Sequence, residues 1–145
     1  MIRLGMSADE LLAALGKPDD VGCQRATDAA DVSIWLYGSQ GANNLQVPLL
    51  EKRVIGIWLY LWGSTDVCTL PLVFSAKDWT IDGRTTIPEF KRLLDAEDIK
   101  WRTHAPLTFN TQTCILVESN VHAIWTHDEH ETLEKIMLTE GSNGW

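Results

Sequence analysis

Val54-Ile55-Gly56-Ile57-Trp58-Leu59-Tyr60-Leu61-Trp62 is the longest apolar run of this 145-residue chain, and it decides the fold class. Side chains alternate between the two faces of an extended strand. One face of this run would be aliphatic, and the other would carry the aromatic side chains Trp58, Tyr60 and Trp62. A strand that is apolar on both faces is normally central in its sheet and covered on both sides. We therefore expect a sheet built outward from this strand.

Further strands are indicated before and after this run. Alternating or continuous apolar segments span residues 32–37, 113–117 and 121–125, and a short polar turn joins the last two. The segment Leu45–Leu50 is weaker because Pro48 interrupts it. Proline has no N–H to donate to a neighbouring strand, so this segment is expected to be an edge strand or the end of a strand.

Three helix starts share one device, the capping box, in which a Ser or Thr and a Glu three residues later satisfy free backbone amides. The three boxes begin at Ser7, Thr86 and Thr126, and each precedes apolar residues at helical spacing. They predict helices over about 8–16, 87–97 and 127–139. The resulting prediction is a single domain over 1–145 of the α+β class, an antiparallel sheet with about three helices packed mainly on one face.

The composition is that of an acidic globular domain, with 45% apolar and 22% charged residues. Twenty acidic residues against twelve basic ones give a net charge of −8. This charge disfavours nucleic acid and anionic membranes as partners, and it attracts basic proteins. The chain has no apolar window near the roughly 18 residues of a membrane helix, and Met1–Ser7 lacks the apolar core of a signal peptide. We expect a cytoplasmic protein.

Catalytic and cofactor motifs are not evident in the sequence. Cys23, Cys68 and Cys114 are widely spaced, which predicts neither a disulfide framework nor a metal clip. Cys68 and Cys114 have apolar neighbours, as reduced structural cysteines do. The chain has no GxxxxGK[ST], GxSxG or HExxH motif. We expect a protein without enzymatic activity and without a cofactor.

The densest polar cluster lies near the start of the third predicted helix. His127, His130 and Glu131 would share a helical face there and could hold a metal, with the distant His104 or His122 as a further partner. The same residues also suit a solvated first helical turn, where acidic side chains favour the positive end of the helix. A metal-binding or small-ligand module is therefore an alternative prediction, and no metal ligand is assigned.

Seven tryptophans are many for a chain of this length. Trp35, Trp58 and Trp125 lie within predicted strands and are expected in the core. Aromatic residues next to acids have the composition of a protein-binding hot spot. The predicted partner-binding residues are Trp62, Asp66, Asp78, Trp79 and Asp82. The second choice is the acidic start of the third predicted helix, namely Asp128, Glu129 and Glu131.

The segment from Gly5 to Pro18, GMSADELLAALGKP, resembles the front helix of small bacterial immunity proteins, with the pattern G-M-S-x-x-E-L followed by L-G-x-P. Leu36-Tyr37-Gly38 and the strand from Lys52 to Ile57 continue the resemblance over about the first 60 residues. Such proteins belong to polymorphic toxin and contact-dependent inhibition systems.

The resemblance implies a protein that binds one cognate toxin domain and occludes its active site. The negative charge suits a toxin with a basic surface, such as a nuclease, and leaves other toxin classes open. An assembly or regulatory subunit of a larger complex is a second alternative, which would use a large apolar interface.

Overall fold

The computed structural model describes residues 2–25, 31–38, 44–61, 68–71, 78–118, 120–127 and 131–139, with backbone alone at 23–25, 31, 44, 68–71 and 78–80. Within these residues the chain forms two α-helices, α1 (Ala8–Leu15) and α2 (Ile87–Ala96), and a 3-10 turn at Ala105–Leu107. The strands are β1 (Asp20–Arg25), β2 (Asp31–Tyr37), β3 (Asn44–Leu50), β4 (Arg53–Val54), β5 (Gly56–Tyr60), β6 (Cys68–Pro71), β7 (Asp78–Ile81), β8 (Trp101–Thr103), β9 (Gln112–Val117), β10 (Val121–His127) and β11 (Glu131–Thr139).

Nine of these strands form one antiparallel sheet in the order β1-β2-β3-β5-β11-β10-β9-β8, with β4 paired to β3. β6 and β7 form a separate two-stranded sheet. β5 lies in the middle of the order, between β3 and β11. The central position predicted for the Val54–Trp62 run is therefore confirmed for β5. No helix in the described part of the chain is long and apolar enough to span a membrane.

The two helices pack on the same face of the sheet, which we call the helix face. Phe90 and Leu94 of α2 join a buried cluster with Ile115, Trp125 and Leu133, and Leu11 of α1 joins a second cluster with Val47 and Leu49. Leu59 packs against the first cluster and Leu45 against the second, and these two residues are paired across β5 and β3. The opposite face carries a third cluster, with Cys114, Ile124 and Met137 buried beside Trp58 and Leu107.

The predicted architecture with about three helices is wrong, because the described residues form mostly strands and only two helices. The predicted helix over 127–139 is replaced by the end of β10 and by β11. A β-bulge explains the misleading pattern. Ile124 pairs with Lys135, but Trp125 pairs with Leu133, so Glu134 is an extra residue in β11.

The bulge places two residues three apart on the same face of a strand. Leu133 and Ile136 both enter the buried cluster under α2, as residues i and i+3 of an amphipathic helix would. Met137 lies instead in the cluster on the opposite face. The spacing that predicted a helix is therefore produced by a bulged strand.

The edge position predicted for residues 45–50 is also wrong, since β3 lies between β2 and β5. β3 pairs with β5 through residues 44–46 and with β4 through residues 49–50, and Pro48 lies at the change of partner. Its carbonyl accepts a hydrogen bond from Ile55 N. In an extended strand the N and the carbonyl of one residue point toward the same neighbouring strand. The side of Pro48 that has no N–H therefore faces the gap between the β3–β5 and β3–β4 pairings, where no regular hydrogen bond is lost.

The other two predicted helices form, and both capping boxes are complete. Ser7 Oγ accepts from Glu10 N at 3.1 Å and Glu10 Oε2 accepts from Ser7 N at 2.8 Å. The backbone N–H of Ser7 holds the pKa of the Glu10 carboxyl below its usual value. Thr86 and Glu89 form the same pair of bonds at the start of α2.

Candidate functional site

The predicted partner-binding residues are only partly placed by the structure. Trp62 and Asp66 lie outside the described residues. Asp78 and Trp79 belong to β7, where they pair with Pro71 and Leu70 of β6. This places their backbone in the two-stranded sheet and says nothing of their side chains.

The hydrogen bonds of Asp82 lie within its own turn. Its carboxylate accepts from Arg84 N at 2.8 Å, and its backbone N–H donates to Thr85 Oγ1 at 3.1 Å. The turn is held against the sheet, because Leu133 N donates to Gly83 O at 2.8 Å. The Asp82-Gly83 turn is therefore part of the packing under α2.

The second-choice residues lie at the β10–β11 connection. Asp128 and Glu129 are outside the described residues, as is His130. Glu131 begins β11, and its carboxylate accepts from Ile87 N, the first amide of α2, at 2.6 Å. Glu131 therefore caps a helix other than the one expected to contain it.

The helical metal face predicted from His127, His130 and Glu131 is wrong because His127 and Glu131 both lie in strands, and His130 lies outside the described residues. His127 and Glu131 are opposed residues of neighbouring strands, and His127 Nε2 lies 2.6 Å from Thr113 Oγ1. His122 lies five residues before His127 in a regular strand, so it faces the other side of the sheet. The described residues hold no group of three His, Cys, Asp or Glu side chains able to bind a metal.

The first candidate site is an exposed apolar surface at the β1 end of the sheet. Large apolar side chains at Leu12, Leu15 and Val21 are 40%, 39% and 50% exposed. Leu12 and Leu15 are three residues apart on α1, so they are neighbours on the helix surface. Val21 belongs to β1, the outermost strand of the order.

Two contacts link the segments that carry these three residues. Tyr37 Oη donates to the Gly16 carbonyl at 3.1 Å, next to Leu15. Val21 pairs with Trp35, which lies two residues from Tyr37 and on the same face. We call this patch, formed by Leu12, Leu15 and Val21, the α1–β1 surface.

Acidic residues lie close to the α1–β1 surface along the chain. Asp9, Asp19 and Asp20 are all exposed, and Lys17 is the one basic residue between residues 8 and 22. The Asp19 carboxylate accepts from Gly38 N at 2.7 Å, and its charge adds to burial in raising the pKa of Tyr37. Asp19 is therefore tied to the end of β2.

The second candidate site is a cleft of about 350 Å³ at the β8 end of the sheet, on the face opposite the helices. Arg102, Leu116 and His122 lie in one row across three strands, because Leu116 pairs with Arg102 on one side and with His122 on the other. The cleft, which we call the histidine cleft, is lined by Lys100, Trp101, Arg102, His104, Leu116, Glu118 and His122.

Two histidines meet in this cleft. The rings of His104 and His122 are arranged edge to face, with centroids 5.2 Å apart and an interplanar angle of 76°. His122 is buried, with 4% of its surface exposed, and in the described structure its Nδ1 has no hydrogen-bond partner. Burial, and then the neighbouring His104, lower the pKa of His122, so its neutral form is favoured.

The backbone of His104 is fixed by the 3-10 turn that follows it. His104 N donates to Cys114 O at 2.8 Å, and Thr108 Oγ1 donates to His104 O at 2.9 Å. The same Thr108 oxygen accepts from Cys114 N at 3.1 Å. The strand β9 and this turn therefore set the position of the His104 ring.

Cys114 is the thiol next to this cleft, and it is buried and free. Burial raises its pKa to about 12, so the thiol stays protonated at neutral pH. The expectation of a reduced, buried structural cysteine is confirmed for Cys114.

Sequence reasoning considered His104 and His122 only as distant additions to the His127 cluster. Their contact depends on the register of β8, β9 and β10, which a sequence does not state. The available signal was the position of His122 within the apolar strand Val121–Trp125. A histidine in an apolar strand is a signal because a buried polar side chain normally has a hydrogen-bond partner, either in the protein or in a bound ligand.

Comparisons with known proteins identify neither a family nor a function for these sites. No protein-family model matches the chain, and no curated protein matches it. One solved structure, of an extracellular protein containing a SCP domain from Bacillus anthracis str. Ames, is similar with 12% identity and a TM-score of 0.49. The match covers 94% of this chain and 44% of that protein, so this chain spans less than half of its length. A likeness of this size says nothing about function.

Proposed function

We propose that this protein is a binding protein for a basic protein partner, and that it acts as the immunity protein of a toxin whose active site it occludes. The observation that carries the proposal is the α1–β1 surface, where three exposed apolar side chains lie close along the chain to three exposed aspartates. Protein interfaces commonly combine an apolar centre that loses water with a polar rim.

The charge of the chain supports the same class of partner. A net charge of −8 accelerates the encounter with a basic surface and slows the encounter with acidic ones. Among the described residues β1 is the last strand of the sheet order, so a partner strand could pair with its outer side next to the apolar patch. Toxins that cleave or modify nucleic acids have basic surfaces, and a nuclease therefore fits the proposal.

Affinity capture from a lysate of the native organism tests this function when two matched baits are compared. The first variant, Leu12→Ser/Leu15→Ser/Val21→Ser, changes the α1–β1 surface. The control, Leu93→Ser/Phe109→Ser, changes exposed apolar residues elsewhere, which are 36% and 56% exposed. Circular dichroism checks that both baits remain folded.

We expect the wild-type and control baits to retain one basic protein that salt releases, and the triple variant to lose it by at least tenfold. The captured protein should then lose its toxic activity on addition of one equivalent of this protein. Retention of the partner by the triple variant would overturn the α1–β1 surface as its site. An acidic partner held at high salt would instead favour a subunit of a larger assembly.

A further inference from the structure

We propose that the histidine cleft binds a small anion carrying a phosphate or carboxylate group, held by Arg102 and Lys100 above the His104–His122 pair. This site is separate from the proposed toxin-binding surface. β1 and β8 are the two ends of the strand order, so the α1–β1 surface and the cleft lie at opposite ends of the sheet.

The first argument is the burial of His122 without a partner for Nδ1. Its strand neighbours Val121, Ala123 and Ile124 are buried apolar residues, and Leu116 beside it is buried too. A buried polar atom without a hydrogen bond costs free energy that an apolar side chain would avoid. The His122 ring lines the cleft, so a small rotation of the ring would bring Nδ1 to a ligand oxygen there.

The second argument is the charge of the lining. Lys100 and Arg102 are exposed, and within the described part of the chain neither forms an ion pair. Glu118 is the single acid of the lining, so the cleft has an excess of positive charge in a protein with a net charge of −8. A guanidinium group binds phosphate and carboxylate groups through two parallel hydrogen bonds.

The third argument is that the site is built into the fold. Arg102, Leu116 and His122 are set by the register of three paired strands, and His104 is held by backbone bonds to Cys114 and Thr108. The volume of about 350 Å³ suits a small molecule, and Leu116 offers an apolar floor to its carbon atoms. The arrangement therefore binds the anion in a preformed position.

Nuclear magnetic resonance on the full chain tests the proposal with inorganic phosphate and acetate as probes. The imidazole signals of His104 and His122 are followed during each titration, in a buffer free of other oxyanions. We expect saturable shifts of both histidines, while His127 on the other face of the sheet stays unchanged. Saturation by phosphate but not acetate assigns a phosphate group, and the reverse assigns a carboxylate.

Two surface variants separate a specific site from general attraction to cations. Arg102→Gln should weaken the anion affinity at least tenfold, and the matched control Arg84→Gln, at an exposed arginine of the α2 turn, should leave it unchanged. The site would be overturned if both variants weakened the anion affinity equally. It would also be overturned if the signals of His104 and His122 did not shift at high concentrations of phosphate and acetate. Because both arginines are exposed, neither variant is expected to unfold the protein.

The anion site and the proposed toxin binding can be tested separately. Arg102→Gln should leave capture of the basic partner intact, and the Leu12→Ser/Leu15→Ser/Val21→Ser variant should leave the histidine shifts intact. Loss of partner capture in Arg102→Gln would show that the cleft is part of the toxin interface and would overturn a separate anion site.

Discussion

The indole Nε1 of Trp125 donates a buried hydrogen bond of 2.8 Å to the carbonyl oxygen of Thr85, which joins the central strand β10 to the turn before α2. The same indole packs edge to face against Phe90 of α2, with centroids 5.2 Å apart. Trp125 is completely buried, so this one side chain ties the second helix to the sheet through both an apolar and a polar contact.

Replacing Trp125 by Phe should lower the free energy of unfolding by about 2–3 kcal/mol. The variant loses part of the buried ring volume, and it leaves the Thr85 carbonyl without its donor. Urea unfolding measures the change. The control is Trp101→Phe, whose indole donates to Asp95 at a partly exposed site and should cost less than about 1 kcal/mol. Equal losses in the two variants would contradict the role of Trp125.

Replacing Glu131 by Ala should destabilise the protein by about 1 kcal/mol, the usual value of a lost helix cap. The Glu131 carboxylate accepts from Ile87 N at the start of α2, where negative charge is also favourable. Glu131→Gln keeps an acceptor oxygen and should recover at least half of the loss. Thermal and urea unfolding would refute the capping role if both variants matched the wild type.

Replacing Gly56 by Ala should destabilise the protein by about 1–3 kcal/mol through steric overlap. A Cβ at this position would lie 2.8 Å from Pro48 Cγ and 2.9 Å from Trp58 Nε1. Gly22→Ala in β1 is the control, since its Cβ would meet nothing closer than Ile34 O at 4.0 Å. Chemical unfolding of the two variants should separate them clearly, and a harmless Gly56→Ala would show that β3 and β5 can move apart.

Acidification should destabilise the protein through His122. Its folded-state pKa lies below the unfolded value of 6.5, so the unfolded chain binds the proton more readily. The stability associated with this group is therefore complete above pH 6.5 and is lost as the pH falls from there toward the folded pKa. The lowered pKa of Glu10 acts in a separate window, below its usual value of 4.5.

The variant His122→Leu should remove this pH dependence and keep or raise the stability at pH 7, because it replaces a buried unpaired polar group by an apolar one. The measurement is the free energy of unfolding in urea between about pH 5.5 and 8.5, in a buffer without phosphate or carboxylate, bracketing the ordinary histidine pKa. His127→Gln is the control, and its free energy of unfolding should still fall on acidification as in the wild type. A wild-type stability that rises on acidification over this range would contradict the assignment.

Local interactions explain which elements the sequence predicted correctly. The two capping boxes join residues only three apart, Ser7 with Glu10 and Thr86 with Glu89, so their bonds form wherever those residues adopt a helix start. The third box, which begins at Thr126, has Thr and Glu at the same spacing, but the described residues that follow it, Glu131–Thr139, form a strand. Trp125 and Leu133 are paired across β10 and β11, and both are buried, so long-range packing favours a strand over residues 131–139 instead of the predicted helix.

The candidate sites show the same division. The helix α1 follows from its capping box and apolar spacing, whereas the exposure of Leu12 and Leu15 is decided by the packing of the fold. Val21 joins them only through the pairing of β1 with β2. His104 and His122 are 18 residues apart, and they meet because β8, β9 and β10 pair in one register. Long-range register is a property of the whole sheet, so neither site could be derived from spacing along the chain.

The sequence by itself determined the acidic charge, the two capped helices and the central position of the strand Gly56–Tyr60 within the apolar run, because each depends on composition or on neighbouring residues. Only the tertiary structure decided that residues 131–139 form a strand, that Pro48 lies within the sheet and that two histidines share one cleft. The physical reason is that a bulge, a change of strand partner and a cross-strand contact each gain their free energy from residues far apart in the chain.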